Sequence, residues 1–384
     1  MSKFIESLKH IKWKHYVNYI GVGLALILFI IFSNTTGIKD SDLYLLEKIA
    51  IAITLAVSLS IVVGFLGELS LGHAGFMCIG AYIGGKVASL IETGGEAAGT
   101  NHFALILALL VGGVAAAICG FVVGLPALRL KGDYLAIVTL AFGEIVRSIF
   151  QNTSKESFGG TLGLSTPRYD KSYLFIYAFV VVLICLAITQ NLMRSKHGRA
   201  ITSIRDNEIA ARATGINVTK YKLLAFVISA FFAGIAGALY SHSNFSVQST
   251  QFGYNYSIEI LVMVVLGGMG NITGSILAAT LITVLNLKLQ TVLTGDLAVL
   301  KNLIYAIVLI IVVIYNNAPK LKPLRDKYNM KNLLSKIFKH KESDSDSARW
   351  DVVPTKISMD EVLSVDLKVV ESVKTPDKAP KGDK

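Results

Sequence analysis

Glu144 and Arg147 stand three residues apart within the apolar run Tyr134–Phe150, so on a helix they share a face and can pair. Glu68, Ser70, Gly72 and His73 fall in "GFLGELSLGHAGF" (64–76), and Asn271, Thr273 and Ser275 fall in "VVLGGMGNITGSI" (264–276). A carboxylate, an imidazole, an amide and hydroxyls at membrane depth can hold a ligand, relay a proton or tie helices together. Ionisable groups inside a bilayer are costly, which makes them functional candidates by default. Plainer readings stand beside that one. Glu144–Arg147 serves equally well as a structural ion pair. Glu68 and His73 lie where charge arithmetic puts the cytoplasmic boundary, and that is the more economical reading of both. Ser70, Gly72, His73, Glu144, Asn271 and Thr273 are the candidates for a translocation path. None of this is a catalyst: the chain has no GxxxxGK[ST] phosphate loop, no GxSxG elbow and no HExxH zinc motif. Cys78, Cys119 and Cys185 each lie singly in an apolar run, without metal or disulfide spacing. No catalytic, cofactor-binding or metal-ligating residue is assigned, and an enzyme is not expected.

The elements that must position these residues are membrane helices. Of 384 residues, 53% are hydrophobic and 16% charged, against about 45–50% and about 25% in soluble domains. Runs of about 20 apolar residues read as transmembrane helices. They predict an all-α polytopic membrane protein with spans near 17–33, 43–66, 72–91, 103–126, 134–150, 172–192, 222–241, 256–267, 272–288 and 299–315. The first follows Lys3, Lys9, Lys12 and Lys14 and has no small-residue cleavage site after Phe32, so it reads as a retained anchor. Joining 256–288 into one helix would give nine spans; splitting it at Gly267–Gly274 gives ten. Basic residues flank both ends of the membrane region, and the positive-inside rule then wants both termini in the cytoplasm and an even count, which selects ten. The same rule accounts for the net charge of +11 without a nucleic-acid partner.

Glycine-broken segments at membrane depth expose backbone that lipid cannot satisfy, so Gly64–Gly75 and Gly267–Gly274 imply a protein-lined or watery setting. The two segments also resemble each other, as a weak internal repeat or as two tight glycine turns. Gly80, Gly84 and Gly85 read as close helix packing. The loop "FGGTLGLSTP" (158–167) is expected outside, as a ligand cradle or an ordinary solvated loop. The domain plan is a basic cytoplasmic N-terminus (1–16), a transmembrane domain (17–315) with a cytoplasmic loop at 193–221, and a tail (316–384). The tail is basic and then of mixed charge, a composition expected to stay disordered, with its basic part on anionic lipid.

Within that loop, Arg205–Tyr221 reads as one helix, with Glu208 in its acidic start and Ala211 and Gly215 four apart on a small-residue face. "RDNEIAARATG" resembles the coupling loop of bacterial ABC importer permeases, roughly Glu-Ala-Ala, three residues, Gly. Ala210, Ala211 and Gly215 keep that spacing; Ile209 occupies the glutamate position, with Glu208 one residue earlier. "GELSLGHAGFMCIGAY" (67–82), "LRLKGDYLAIVTLAFGEIVR" (128–147) and "VLGGMGNITGSILAA" (265–279) extend the resemblance to permeases of branched-chain amino-acid ABC importers, over roughly 43–315. The resemblance implies a bacterial cytoplasmic-membrane subunit taking up leucine, isoleucine and valine. It implies two cytoplasmic ATPase subunits that bind ATP, a second homologous permease and an extracytoplasmic binding protein, with Glu208, Ala210, Ala211 and Gly215 at the ATPase contact and no cofactor in this chain. Related permeases take urea, short amides or other amino acids. A secondary transporter driven by an ion gradient is the competing class, and a coupling loop speaks against it.

Overall fold

The computed structural model describes residues 40–92, 101–130, 132–166 and 169–292, with single residues around 18–26 and at 307 and 310. The spans expected at 17–33 and 299–315, the basic N-terminus and the tail lie outside these, apart from those few residues. Six of the described helices are long and apolar enough to cross a membrane: Asp40–Leu66, His73–Ile91, His102–Ala127, Tyr173–Arg194, Val218–Ser243 and Ile272–Gln290. Each coincides within a few residues with an expected span.

In chain order, α1 (Asp40–Ser60) runs into a π-turn at Ile61–Leu66, followed by α2 (His73–Glu92), α3 (His102–Ala127) and α4 (Asp133–Asn152). A short α5 (Lys155–Phe158) precedes α6 (Lys171–Arg194), α7 (Lys196–Asp206) and α8 (Glu208–Ala213). Then come α9 (Val218–Ser243), α10 (Tyr254–Gly267) and α11 (Ile272–Val292). The expected span at 134–150 is α4, a 20-residue helix carrying Asp133, Glu144 and Arg147 that stands outside the six; α10 is apolar but has only 14 residues.

From Ile49 onward α1 is apolar on all sides and wholly buried, as such a helix must be in a bundle interior. Helices α2, α3 and α9 form the tightest block, and glycine is the reason. A Cβ on Gly80 would run into the backbone of Gly234, and one on Gly112 would sit 2.9 Å from Gly80 O. Small residues let helix backbones touch where lipid supplies no hydrophobic drive between them. Gly84, against Ala108 and Ala238, and Gly85, against Thr166, belong to the same packing.

At one end of the bundle, β1 (Leu164–Ser165) pairs antiparallel with β2 (Ser246–Val247), Leu164 opposite Val247. The glycines of the 158–167 loop are therefore spent on turns, Gly159, Gly160 and Gly163 all having positive φ. Thr166 Oγ1 donates to Ser241 O (2.7 Å), strapping the loop to the end of α9. The loop 193–221 lies at the opposite end of α9.

Candidate functional site

The loop 193–221 is built from three side-chain caps. Ser195 Oγ accepts from His197 N (3.1 Å) and opens α7. Asn207 is extended (φ −159°, ψ 104°), and its Oδ1 accepts from Ala210 N (3.0 Å), opening α8. Asn217 Oδ1 accepts from Lys220 N (3.1 Å) and opens α9. The single helix expected over 205–221 is therefore the end of α7, the short α8, a turn and the start of α9, because each asparagine offers the backbone a capped start in place of continuation. Gly215 closes α8 at φ +84°, a left-handed position that glycine takes without strain.

This geometry corrects the expected Ala211–Gly215 face. Ala211 is 4% exposed, in an apolar cluster with Ile61, Leu66, Ile201, Ile204 and Val218. It holds α8 against α7 and the start of α9, and α7 in turn packs on the π-turn. The outward face is Ile209, 80% exposed, with Ala210 and Ala213 beside it.

Polar contacts reinforce that seat. Lys222, in the first turns of α9, has a side chain only 3% exposed, with Nζ 2.5 Å from Glu68 Oε1 and 3.4 Å from Glu208 Oε2. Glu208 also pairs with the exposed Arg212 at 3.0 Å. One buried ammonium thus joins the chain break after α1, the loop helix α8 and the span α9. Arg205 adds a second tie. Its Nη1 donates to Gly64 O (3.1 Å), while a Cβ on Gly67 would meet its Cγ at 2.5 Å and one on Gly270 would lie 3.4 Å from Nη1. The two glycine breaks touch each other as well, since a Cβ on Gly64 would be 2.6 Å from Gly270 N.

Residues 43–313 match the family described as branched-chain amino acid transport system, permease component. The chain belongs to that permease family. The matched region takes in both breaks, the loop and, but for the first three residues of α1, the six described spans. The permease is 37% identical over 269 residues to the high-affinity branched-chain amino acid transport system permease protein LivM of Salmonella typhimurium, and 38% identical over 269 residues to LivM of Escherichia coli. Each alignment covers 61% of this chain, and the chain spans 60% of the length of those relatives. The probable branched-chain amino acid transport permease LivM of Methanocaldococcus jannaschii is 32% identical over 183 residues, 44% of this chain and 52% of its own. No solved structure matches. These relatives are transport permeases, and the chain is a multi-pass protein of the bacterial cytoplasmic membrane.

In this permease the expected path residues divide into two groups. Ser70, Gly72 and His73 are buried at the first break. Leu71 N donates to Thr139 Oγ1 (3.0 Å), and a Cβ on Gly72 would lie 2.5 Å from Thr139 O, so α4 seats against the break. His73 Nε2 shares a hydrogen bond with Ser58 Oγ (2.8 Å), and Ala74 N donates to Ser257 Oγ (3.1 Å). Asn271 Oδ1 accepts from Gly274 N (3.3 Å) at the start of α11, and Thr273 Oγ1 donates to Asn18 Oδ1 (2.7 Å). Glu144 stands apart from both breaks. Its Oε2 accepts from Arg147 Nε (2.7 Å) and its Oε1 from Tyr254 N (2.9 Å). It caps α10 at the end away from the second break, about 20 Å along the helix at 1.5 Å per residue. A carboxylate at a helix N-terminus is favoured by the helix dipole. Arg205 and Lys222, which join the parts, were not among the expected site residues. Their partners lie 141 and 154 residues away in sequence, beyond any spacing argument.

Proposed function

We propose that this chain is one permease subunit of an ATP-driven importer of branched-chain amino acids. The observation that carries the reading is the junction at Lys222: the short exposed helix α8 is fastened through Glu208 and this buried ammonium to Glu68 at the first break, while Arg205 of α7 ties the two breaks to the loop from its outer side. A docking element joined in this way transmits motion from outside the bilayer, which a gradient-driven carrier does not require. The substrate class is that named for the LivM relatives. The topology that goes with it has ten spans, both termini and the loop 193–221 in the cytoplasm. Two ATPase subunits bind ATP and dock on α8, a second permease completes the path, and a binding protein delivers substrate at the β1–β2 end. The chain itself holds no cofactor. The ATPase contact comprises Ile209, Ala210 and Ala213, with Glu208 holding α8 in place and Gly215 setting its end.

Ile209→Asp tests this. It puts a charge on an exposed side chain, so the fold is retained. ATP-dependent uptake of L-leucine into proteoliposomes and co-purification of the ATPase subunits are both expected to be lost. Full uptake by that variant would refute the docking assignment. Uptake abolished by collapsing the ion gradient with ATP present would refute the ATP-driven reading.

A further inference from the structure

The loop 193–221 carries six Lys or Arg residues against two carboxylates, Asp206 and Glu208. The fold decides which of these charges a partner can meet. Glu208 is turned inward: its side chain is 19% exposed, with the buried Lys222 ammonium on one oxygen and Arg212 on the other. Asp206 is exposed, but its neighbour Arg205 grips Oδ1 through both Nε (3.2 Å) and Nη2 (3.1 Å). Neither carboxylate is presented on the outer side of α8.

The cations are placed differently. Arg212 lies three positions after Ile209, on the same side of α8, and its side chain is 69% exposed. Among the described residues it engages only Nη2, with Glu208 Oε1 at 3.0 Å. A guanidinium has five N–H donors, so Arg212 can bind a second carboxylate without releasing the first. Lys220 is exposed in the first turn of α9, and its ammonium has no partner among the described residues. It lies about 200° round the helix from the buried Lys222. The outer side of α8 therefore offers one large apolar side chain, Ile209, on a bed of exposed Ala210 and Ala213, with cations beside it. Ile209 stands where the coupling-loop pattern has glutamate, so the charge on this face is the reverse of the expected one.

An apolar anchor with charge around it is the layout of a protein interface, core within rim. A bilayer surface also attracts cations, but helices that lie in it present a wide apolar stripe, and α8 has six residues and one exposed isoleucine. We infer that the ATPase subunit meets α8 with an apolar pocket for Ile209 rimmed by carboxylates, which pair with Arg212 and Lys220. The inference rests on the importer reading and adds the chemistry of the surface that α8 enters. It also sets a rule for pairing: an ATPase that presents a cation opposite position 209 is repelled by this permease.

The test is binding of the ATPase subunits to the two-permease assembly in nanodiscs of phosphatidylcholine alone. Ile209→Gln and Ile209→Glu have nearly the same shape and differ in charge. At about 0.1 M salt Ile209→Glu is expected to bind the ATPase at least about tenfold more weakly than Ile209→Gln, and the gap is expected to narrow at about 1 M, where the Debye length falls from about 10 to about 3 Å. Lys220→Glu is expected to weaken binding about tenfold and Lys220→Gln about threefold, mostly through slower association. Both positions are exposed, so folding is retained, which circular dichroism of each variant checks. Equal binding by the two variants at 209, or tighter binding by Ile209→Glu, overturns the carboxylate-rimmed pocket and leaves the docking of α8 standing. A charge effect that appears only when phosphatidylglycerol is added to the nanodiscs overturns it too, by assigning the cations to lipid. Absence of ATPase binding by the wild type overturns the importer reading as well.

Discussion

Replacing Lys222 by methionine removes the ammonium that Glu68 and Glu208 share and keeps the length of the side chain. The contact distances are 2.5 and 3.4 Å. With an effective dielectric of about 20, these correspond to gross attractions of about 7 and 5 kcal/mol. Desolvation of a buried ion cancels most of that, and the quantity a mutation reads is the charge left without its partner, about 3–5 kcal/mol for a buried pair. Glu68 and Glu208 keep 13% and 19% of their side-chain exposure, so water relieves part of the penalty and the lower end, about 3 kcal/mol, applies. Glu68→Gln leaves Lys222 with Glu208 and is expected to cost less, about 1 kcal/mol. The double variant Lys222→Met/Glu68→Gln removes the stranded carboxylate along with the cation, so it is expected to be more stable than the sum of the single variants by at least about 1 kcal/mol. The assay is unfolding of the purified chain by sodium dodecyl sulfate in mixed micelles, followed by circular dichroism across the four-member cycle. Additivity within about 0.5 kcal/mol, or a Lys222→Met variant as stable as wild type, would refute the claim that this ammonium fastens the loop to the break.

Other expectations follow from the same contacts. Gly64→Ala puts a methyl against Gly270 N and is expected to lower stability by about 1–3 kcal/mol through overpacking, read in the same unfolding assay. Arg205→Ala leaves the helices intact but releases the tie between the breaks; basal ATPase activity of the assembled complex is expected to persist while L-leucine uptake falls, and parallel loss of both would refute the tie. Glu144→Gln weakens the cap on α10 and the pair with Arg147, costing about 0.5–2 kcal/mol, and Arg147→Met is expected to cost more because it leaves the carboxylate without its cation. Gly215→Ala places a Cβ in a left-handed turn and is expected to cost about 1 kcal/mol, with no change in the spans by circular dichroism.

Much of the membrane architecture is readable from run length and charge, because a bilayer imposes both independently of fold. The two glycine breaks are readable for the same reason: backbone in lipid must be satisfied, and glycine interrupts that satisfaction visibly. The subdivision of the loop was also written locally. Asn207 and Asn217 are both strong helix-capping residues, and a helix across 205–221 ignores them. Small-residue spacing outweighed the caps there and set Ala211 beside Gly215 on one outer face, whereas the fold buries Ala211 and leaves Gly215 exposed beyond the helix end. Glu144 was readable as half of a pair with Arg147, but not as the cap of a helix that begins 110 residues later. Lys222 looks like an ordinary interfacial lysine until Glu68 and α8 close over it.

Helix α9 carries Lys222 in its first turns and Tyr240 near its last, 18 positions on. At 1.5 Å per residue they are about 27 Å apart. Between them α9 is meshed with α2 and α3 through Gly80, Gly112 and Gly234, at a spacing too tight for one helix to slide along another. A displacement applied at the Lys222 end therefore cannot be absorbed by slippage midway. The helix acts as a rod, and the Tyr240 end moves when the Lys222 end does. Force at the loop end of α9 then reaches its β1–β2 end through backbone stiffness, with no chain of intervening polar contacts.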